Sequence, residues 1–238
     1  MHCYPGTNQN QAGAIRPLDV AAIVCIVSVL AFFAVFGTSR IRERVLRTRC
    51  RANLLQIGTA LQLYAKDNHN LLPDCSRANP GFTGPQWPWD IHTNLANVLE
   101  TKGATRQNFY CPANPAMNDD RHWDFWKSDP NPARVIGYGL LLKGYRQVPP
   151  GLWRTSLSAT NQVSPSQTEL AVDATVCTDD NYVGISDAWG DRSNHVRGKR
   201  PLGGNILFDD QHVDWRDFSG MQIRFTTFNP PGAVQWSF

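Results

Sequence analysis

The sequence predicts an α+β fold. A long N-terminal α-helix, membrane-spanning in its first half, is expected to pack by its second half on a small antiparallel β-sheet. Three observations predict this. The helical pattern runs from Pro17 to Asn68 with no interior proline. The remainder of the chain mixes short apolar segments with many prolines, glycines and tryptophans, which suits short strands joined by turns. The strand candidates follow helices without βαβ alternation, so an antiparallel sheet covering one helix face is the economical arrangement.

Residues 1–16 are polar, small and turn-forming and read as a lead-in or leader. Pro17 suits a first helical turn, and Asp19 favours the positive end of the helix dipole. Val20 to Thr38 contains no charged residue. At ~1.5 Å rise per residue, about 20 residues cross a ~30 Å hydrocarbon core, so the run is predicted to span. The helix then turns amphipathic. Leu46, Cys50, Leu54, Ile57, Leu61 and Tyr64 recur at spacings of three and four and define one face. That face is the candidate for helix–sheet packing. Residues 17–68 form this helix, and 69–238 form a globular domain.

Within the globular part, residues 69–90 hold many helix breakers. Ile91 to Lys102 is a short helix candidate that Gly103 would end. Residues 113–134 form a long polar and aromatic loop. Four strand candidates follow, VIGYGLLL, ELAVDATV, GNILFDDQHVDWRDF and MQIRFTTF. A turn at Asp209, Asp210 and Gln211 would fold the third into a hairpin.

The 238 residues carry a net charge of +3, and much of the excess sits between Arg40 and Arg51. Acids and bases are mixed elsewhere, so no nucleic-acid surface is indicated. The six cysteines include no C-x-x-C pair, which argues against a zinc ribbon or a thioredoxin-type motif. Cys75, Cys111 and Cys177 are disulfide candidates in an oxidising compartment, with Cys50 as another partner.

The layout resembles the type IV pilin-like proteins, specifically the type II secretion pseudopilin G-like group that carries a C-terminal H-x9-DG segment. Residues 47–68 are similar to the family's helix signature through Cys50, Asn53, Leu54, Gln56, Ile57, Gly58, Ala60, Leu61 and Tyr64. Residues 193–218 resemble its closing hairpin, although Gln211 replaces the family's glycine and His195 to Asp210 is longer than nine residues. Phe109 to Pro112 is also similar to a family element. The basic leader and the F-T-L-x-E motif of prepilins are absent. The resemblance implies a structural subunit of a pilus-like or pseudopilus-like filament and no enzyme. It implies assembly through Asp19, Val20, Ile23, Val27, Leu30 and Phe33. It also implies copies of the chain, a secretion or pilus assembly machinery and membrane lipid as partners. The expected location is the inner membrane, single-pass, with the globular domain extracytoplasmic and a periplasmic or cell-surface filament after assembly. The arginines after the span point the other way by the positive-inside rule.

Asp173, Asp209 and Asp210 could supply oxygen ligands to Ca²⁺, against the plainer reading that Asp209 and Asp210 form a turn. His195, His212 and the aspartates come with neither H-E-x-x-H nor G-x-S-x-G, which argues against catalysis. The eight tryptophans suit packing in the core and loops. They also admit the rival function, a non-polymerising membrane-tethered extracytoplasmic binding module for carbohydrate.

Overall fold

The computed structural model describes residues 16–79, 81–85, 87–125, 132–157, 164–185, 193–229 and 232–238. The chain divides into two compact units, Met1–Arg42 and Glu43–Phe238.

Helix α1 runs from Pro17 to Asp67. Its start is fixed by Asp19, whose carboxylate accepts from the Arg16 backbone N–H at 3.1 Å. This satisfies one of the donors that a helix start leaves open. Its end is fixed by His69 and Asn70, which take positive φ angles of 56° and 62°. Asn70 N–H returns to the Ala65 carbonyl at 2.8 Å, and the Asn68 side chain donates to the Tyr64 carbonyl.

The structure is α+β, but it lacks the long apolar, membrane-crossing N-terminal helix expected above. Among the described residues, no helix is long and apolar enough to cross a membrane. The transmembrane and prepilin readings, and the single-pass inner-membrane location built on them, are corrected accordingly.

In the second unit, Cys50, Leu54, Ile57 and Leu61 on α1 are all fully buried, with Ala60 and Ala65 beside them. Close approach to the sheet occurs at Gly58. A methyl group there would meet Leu207 Cδ1 at 3.0 Å and Gln211 Oε1 at 2.5 Å. Strand β1 (Asp90–His92) pairs with β2 (Ala133–Val135). Helix α2 (Thr93–Thr101) follows β1; His92 Nδ1 accepts from the Asn94 N–H at its start. Gly103, at φ +95°, closes its far end. Helix α3 (Asp120–Trp123) lies within the long loop after α2 and is capped by Asp119, which accepts from the His122 N–H.

The principal sheet has four strands. Tyr138–Leu140 (β3), Glu169–Asp173 (β4), Gly203–Phe208 (β8) and Val213–Asp217 (β9) lie in the order β3-β4-β8-β9, all antiparallel. Val196–Arg197 (β6) and Arg200–Pro201 (β7) form a small ribbon. A three-stranded sheet joins Val176–Cys177 (β5) to Ile223–Asn229 (β10) and Gly232–Ser237 (β11), with β11 in the middle. The hairpin at Asp209 to Gln211 forms β8 and β9, with Gln211 at φ 73° closing the turn. Two expected strands are each divided. VIGYGLLL splits between β2 and β3, which belong to different sheets, because Gly137 at the break packs on backbone: a Cβ there would meet the Cys111 nitrogen at 3.0 Å. ELAVDATV splits between β4 and β5. No strand candidate in the sequence covers β11. Trp236 from β11 is fully buried and stacks on Trp89 and Phe225, at centroid distances of 5.0 and 5.7 Å.

Candidate metal centre

Four segments far apart in sequence bring titratable groups to one buried point. Helix α1 contributes Cys50, on the face it turns to the sheet. Cys111 comes from the Phe109–Pro112 stretch, and Asp173 ends β4. His195 sits in the turn before β6 at φ 49°, a left-handed conformation that aims its ring inward. The ligand atoms of these four residues all lie within 4.8 Å of one another, and all four residues are buried. The cluster could therefore hold a metal ion.

The contacts are specific. Cys50 Sγ donates to Asp173 Oδ2 at 3.0 Å and lies 3.3 Å from the Tyr138 hydroxyl. His195 Nε2 is 3.3 Å from Cys111 Sγ and 3.3 Å from Asp173 Oδ2. His195 Nδ1 is 3.0 Å from Glu43 Oε1, which also accepts from Arg47 Nε at 3.2 Å. Asp173 Oδ1 accepts from Asn194 Nδ2 at 2.6 Å, and Oδ2 accepts from the Asn205 backbone N–H at 3.2 Å. The indole of Trp215 meets the His195 ring edge-on, and the Arg47 guanidinium lies 3.7 Å above that indole.

The electrostatics follow from burial and pairing. Burial alone would raise the Asp173 carboxyl, but the charge and hydrogen bond of His195, with those from Cys50 and Asn205, hold it below the usual range. Burial alone would lower His195; Asp173, Cys50 and Glu43 instead push it up to about 12. Burial also opposes ionisation of Glu43, and its partners His195 and Arg47 win, holding that carboxyl down. Burial pushes the Cys111 thiol up to about 11 and the Cys50 thiol well above its ordinary value. A charged group here is stable only with partners, which is the condition a bound cation meets for thiolates.

The three aspartates considered for Ca²⁺ do not converge. Asp173 belongs to the cluster. Glu169, at the other end of β4, is the residue paired with Phe208, so Asp209 lies ~13 Å along the strand from Asp173. Asp209 is itself buried, with Oδ1 lacking a hydrogen-bond partner. Asp210 bonds to His212 beside it and shapes the turn. Two sulfurs and an imidazole are also softer donors than Ca²⁺ selects.

The remaining candidate residues fall as follows. Asp19 caps α1, and Val20, Ile23, Val27 and Leu30 are exposed on it. The side chain of Phe33 lies outside the described residues. Leu46 is partly buried against the core, and Tyr64 is half-buried beside Phe82. Among the described residues the cysteines Cys25, Cys50, Cys75, Cys111 and Cys177 are free thiols, the disulfide candidates Cys50, Cys75, Cys111 and Cys177 included. Trp126 and Trp189 lie outside the described residues. Trp89 and Trp236 are core residues, while Trp123 and Trp215 lie under arginines.

From the sequence alone Cys50 reads as a packing residue, Cys111 as a disulfide candidate and His195 as a brace of the sheet, with nothing to join them. Their separations in sequence match no local ligand spacing. The only available signal was that Cys50, Cys111 and His195 each sit inside a segment resembling a family motif. Comparison with known proteins finds no matching family model, no matching curated protein and no matching solved structure.

Proposed function

We propose that the chain is a structural subunit that assembles with copies of itself, through its N-terminal helix, into a type IV pilus-like or type II secretion pseudopilus-like filament. One observation carries this reading. Leu18, Ile23, Ile26, Val27, Leu30 and Phe32 on α1 are each between 56% and 80% exposed. They occupy several sides of the helix, and a helix that is apolar all round is stable only when covered. A single partner would cover one side. Several copies packed side by side cover all of them, and each half-exposed side chain that is buried contributes about 1 kcal/mol. The resemblance of residues 47–68 and 193–218 to pilin-like motifs supports the same reading, and a pilus or secretion assembly machinery would be the cellular partner. A structural role, not a catalytic one, is supported by the burial of Cys50, Cys111, Asp173 and His195, each at most 1% exposed.

The test is electron microscopy and sedimentation of the purified full chain in detergent-free buffer. Filaments with this chain as their repeat are expected. A chain that stays monomeric at every concentration overturns the reading.

A further inference from the structure

We propose that Cys50, Cys111, Asp173 and His195 form a closed, structural Zn²⁺ site that fastens helix α1 to the sheet. The inference is independent of the filament reading, since it concerns only the second unit.

The geometry points to a tetrahedral cation. With metal–sulfur bonds of about 2.3 Å and metal–nitrogen or metal–oxygen bonds of about 2.0–2.2 Å, the edges of a tetrahedral site are about 3.3–3.8 Å. Observed edges are 3.0 Å between Cys50 Sγ and Asp173 Oδ2, and 3.3 Å from His195 Nε2 to both Cys111 Sγ and Asp173 Oδ2. The full set lies within 4.8 Å, so a central ion requires side-chain shifts of about 1 Å or less.

Hydrogen bonding within the cluster is the weaker explanation. His195 Nε2 carries at most one hydrogen, yet a sulfur and a carboxylate oxygen face it at the same distance. A metal on Nε2 satisfies both neighbours as fellow ligands. The surroundings are those of a metal-bound imidazole. The other ring nitrogen, Nδ1, meets the Glu43 carboxylate at 3.0 Å, which fixes the ring's orientation. Asn194 Nδ2 holds the non-ligating oxygen of Asp173. A cleft lined by Arg49, Asn53, Tyr110 and Cys111 borders the cluster on its Cys111 side.

Two sulfurs, one imidazole and one carboxylate suit Zn²⁺, whose structural sites are four-coordinate with every position filled by protein. On binding, each thiol loses its proton to solvent and each sulfur donates a lone pair to the ion. The ligands come from helix, loop, strand and turn, so the ion joins four segments that local structure does not hold together.

The experiment is elemental analysis by plasma mass spectrometry of the full chain, purified without chelator and equilibrated with Zn²⁺. About one zinc per chain is expected. Cys111→Ser should lose it, while Cys177→Ser, which changes a thiol outside the cluster, should keep it. Glu43→Gln should retain the ion with affinity weaker by about 10–100-fold. Co²⁺ bound in place of zinc should show the intense visible bands of a tetrahedral site with thiolate-to-cobalt charge transfer. Wild-type protein without stoichiometric zinc after equilibration overturns the proposal. So does stoichiometric iron or copper in its place, or a Cys50–Cys111 disulfide found by peptide mapping. The wild-type measurement decides even if a variant fails to fold.

Discussion

Removing the Asp173 carboxylate tests whether the buried cluster organises the second unit. Asp173 is 1% exposed. Its Oδ2 faces Cys50 Sγ at 3.0 Å, the Asn205 backbone N–H at 3.2 Å, Asn205 Nδ2 at 3.3 Å and His195 Nε2 at 3.3 Å. Its Oδ1 takes the Asn194 amide at 2.6 Å. In Asp173→Ala the Asn205 N–H loses its carboxylate partner, and the buried His195 keeps only one of its two carboxylate partners, Glu43. Deleting one partner of a buried ion pair destabilises by about 3–5 kcal/mol. For a unit of this size that lowers the melting temperature by roughly 6–20 °C. Asp173→Asn should recover little, because an amide NH₂ placed at Oδ2 would face donors. Asp210→Ala is the control. Its side chain is 36% exposed and bonds only within the turn, so a loss of about 1 kcal/mol or less is expected. Urea unfolding followed by tryptophan fluorescence measures all three. A loss below about 1 kcal/mol for Asp173→Ala would refute the reasoning.

Three further outcomes are expected. Gly139→Ala should cost about 1–3 kcal/mol in the same urea assay, since its Cβ would lie 2.6 Å from the buried Trp236 ring and 3.1 Å from Val172 Cγ2; Gly151→Ala, in open space, should change nothing. Burial raises the Asp209 carboxyl to about 6; the charge of Asp210 adds to this and Arg154 opposes it. The folded protein therefore binds that proton more tightly than the unfolded one, and stability falls as pH rises from its ordinary value through about 6. Asp209→Asn should remove this slope and be more stable than wild type by about 1 kcal/mol near pH 7.5, with no gain near pH 4. Val27→Asp should abolish assembly, because an unpaired carboxylate in an apolar bundle costs several kcal/mol. It should leave the monomer's melting temperature unchanged, since Val27 is exposed there.

Local signals in the sequence correspond to the elements whose causes are local. The three-and-four spacing of Cys50, Leu54, Ile57 and Leu61 marks the helix face that is buried. The Asp209 to Gln211 turn marks a hairpin. The end of α2 is legible in Gly103. What failed had a non-local cause. The uncharged run in α1 suggested a bilayer span, but among the described residues no helix is long and apolar enough to cross a membrane. The break between β2 and β3 depends on Gly137 meeting the Cys111 backbone, a contact between segments. The buried cluster has the same origin: Asp173 looked like a calcium ligand because Asp209 and Asp210 are acidic, whereas the fold surrounds it with sulfur and imidazole.

The central claim, that α1 is covered by other copies of this chain, is tested most directly at Cys25. This residue is an exposed thiol on the apolar stretch, while Cys50, Cys75, Cys111 and Cys177 are buried. With Cys3 replaced by serine, reaction with a water-soluble maleimide in detergent-free buffer reports on Cys25. Labelling that is fast in dilute protein and slows at least about tenfold as the chain assembles would match burial among copies. An unchanged rate at every concentration would contradict it.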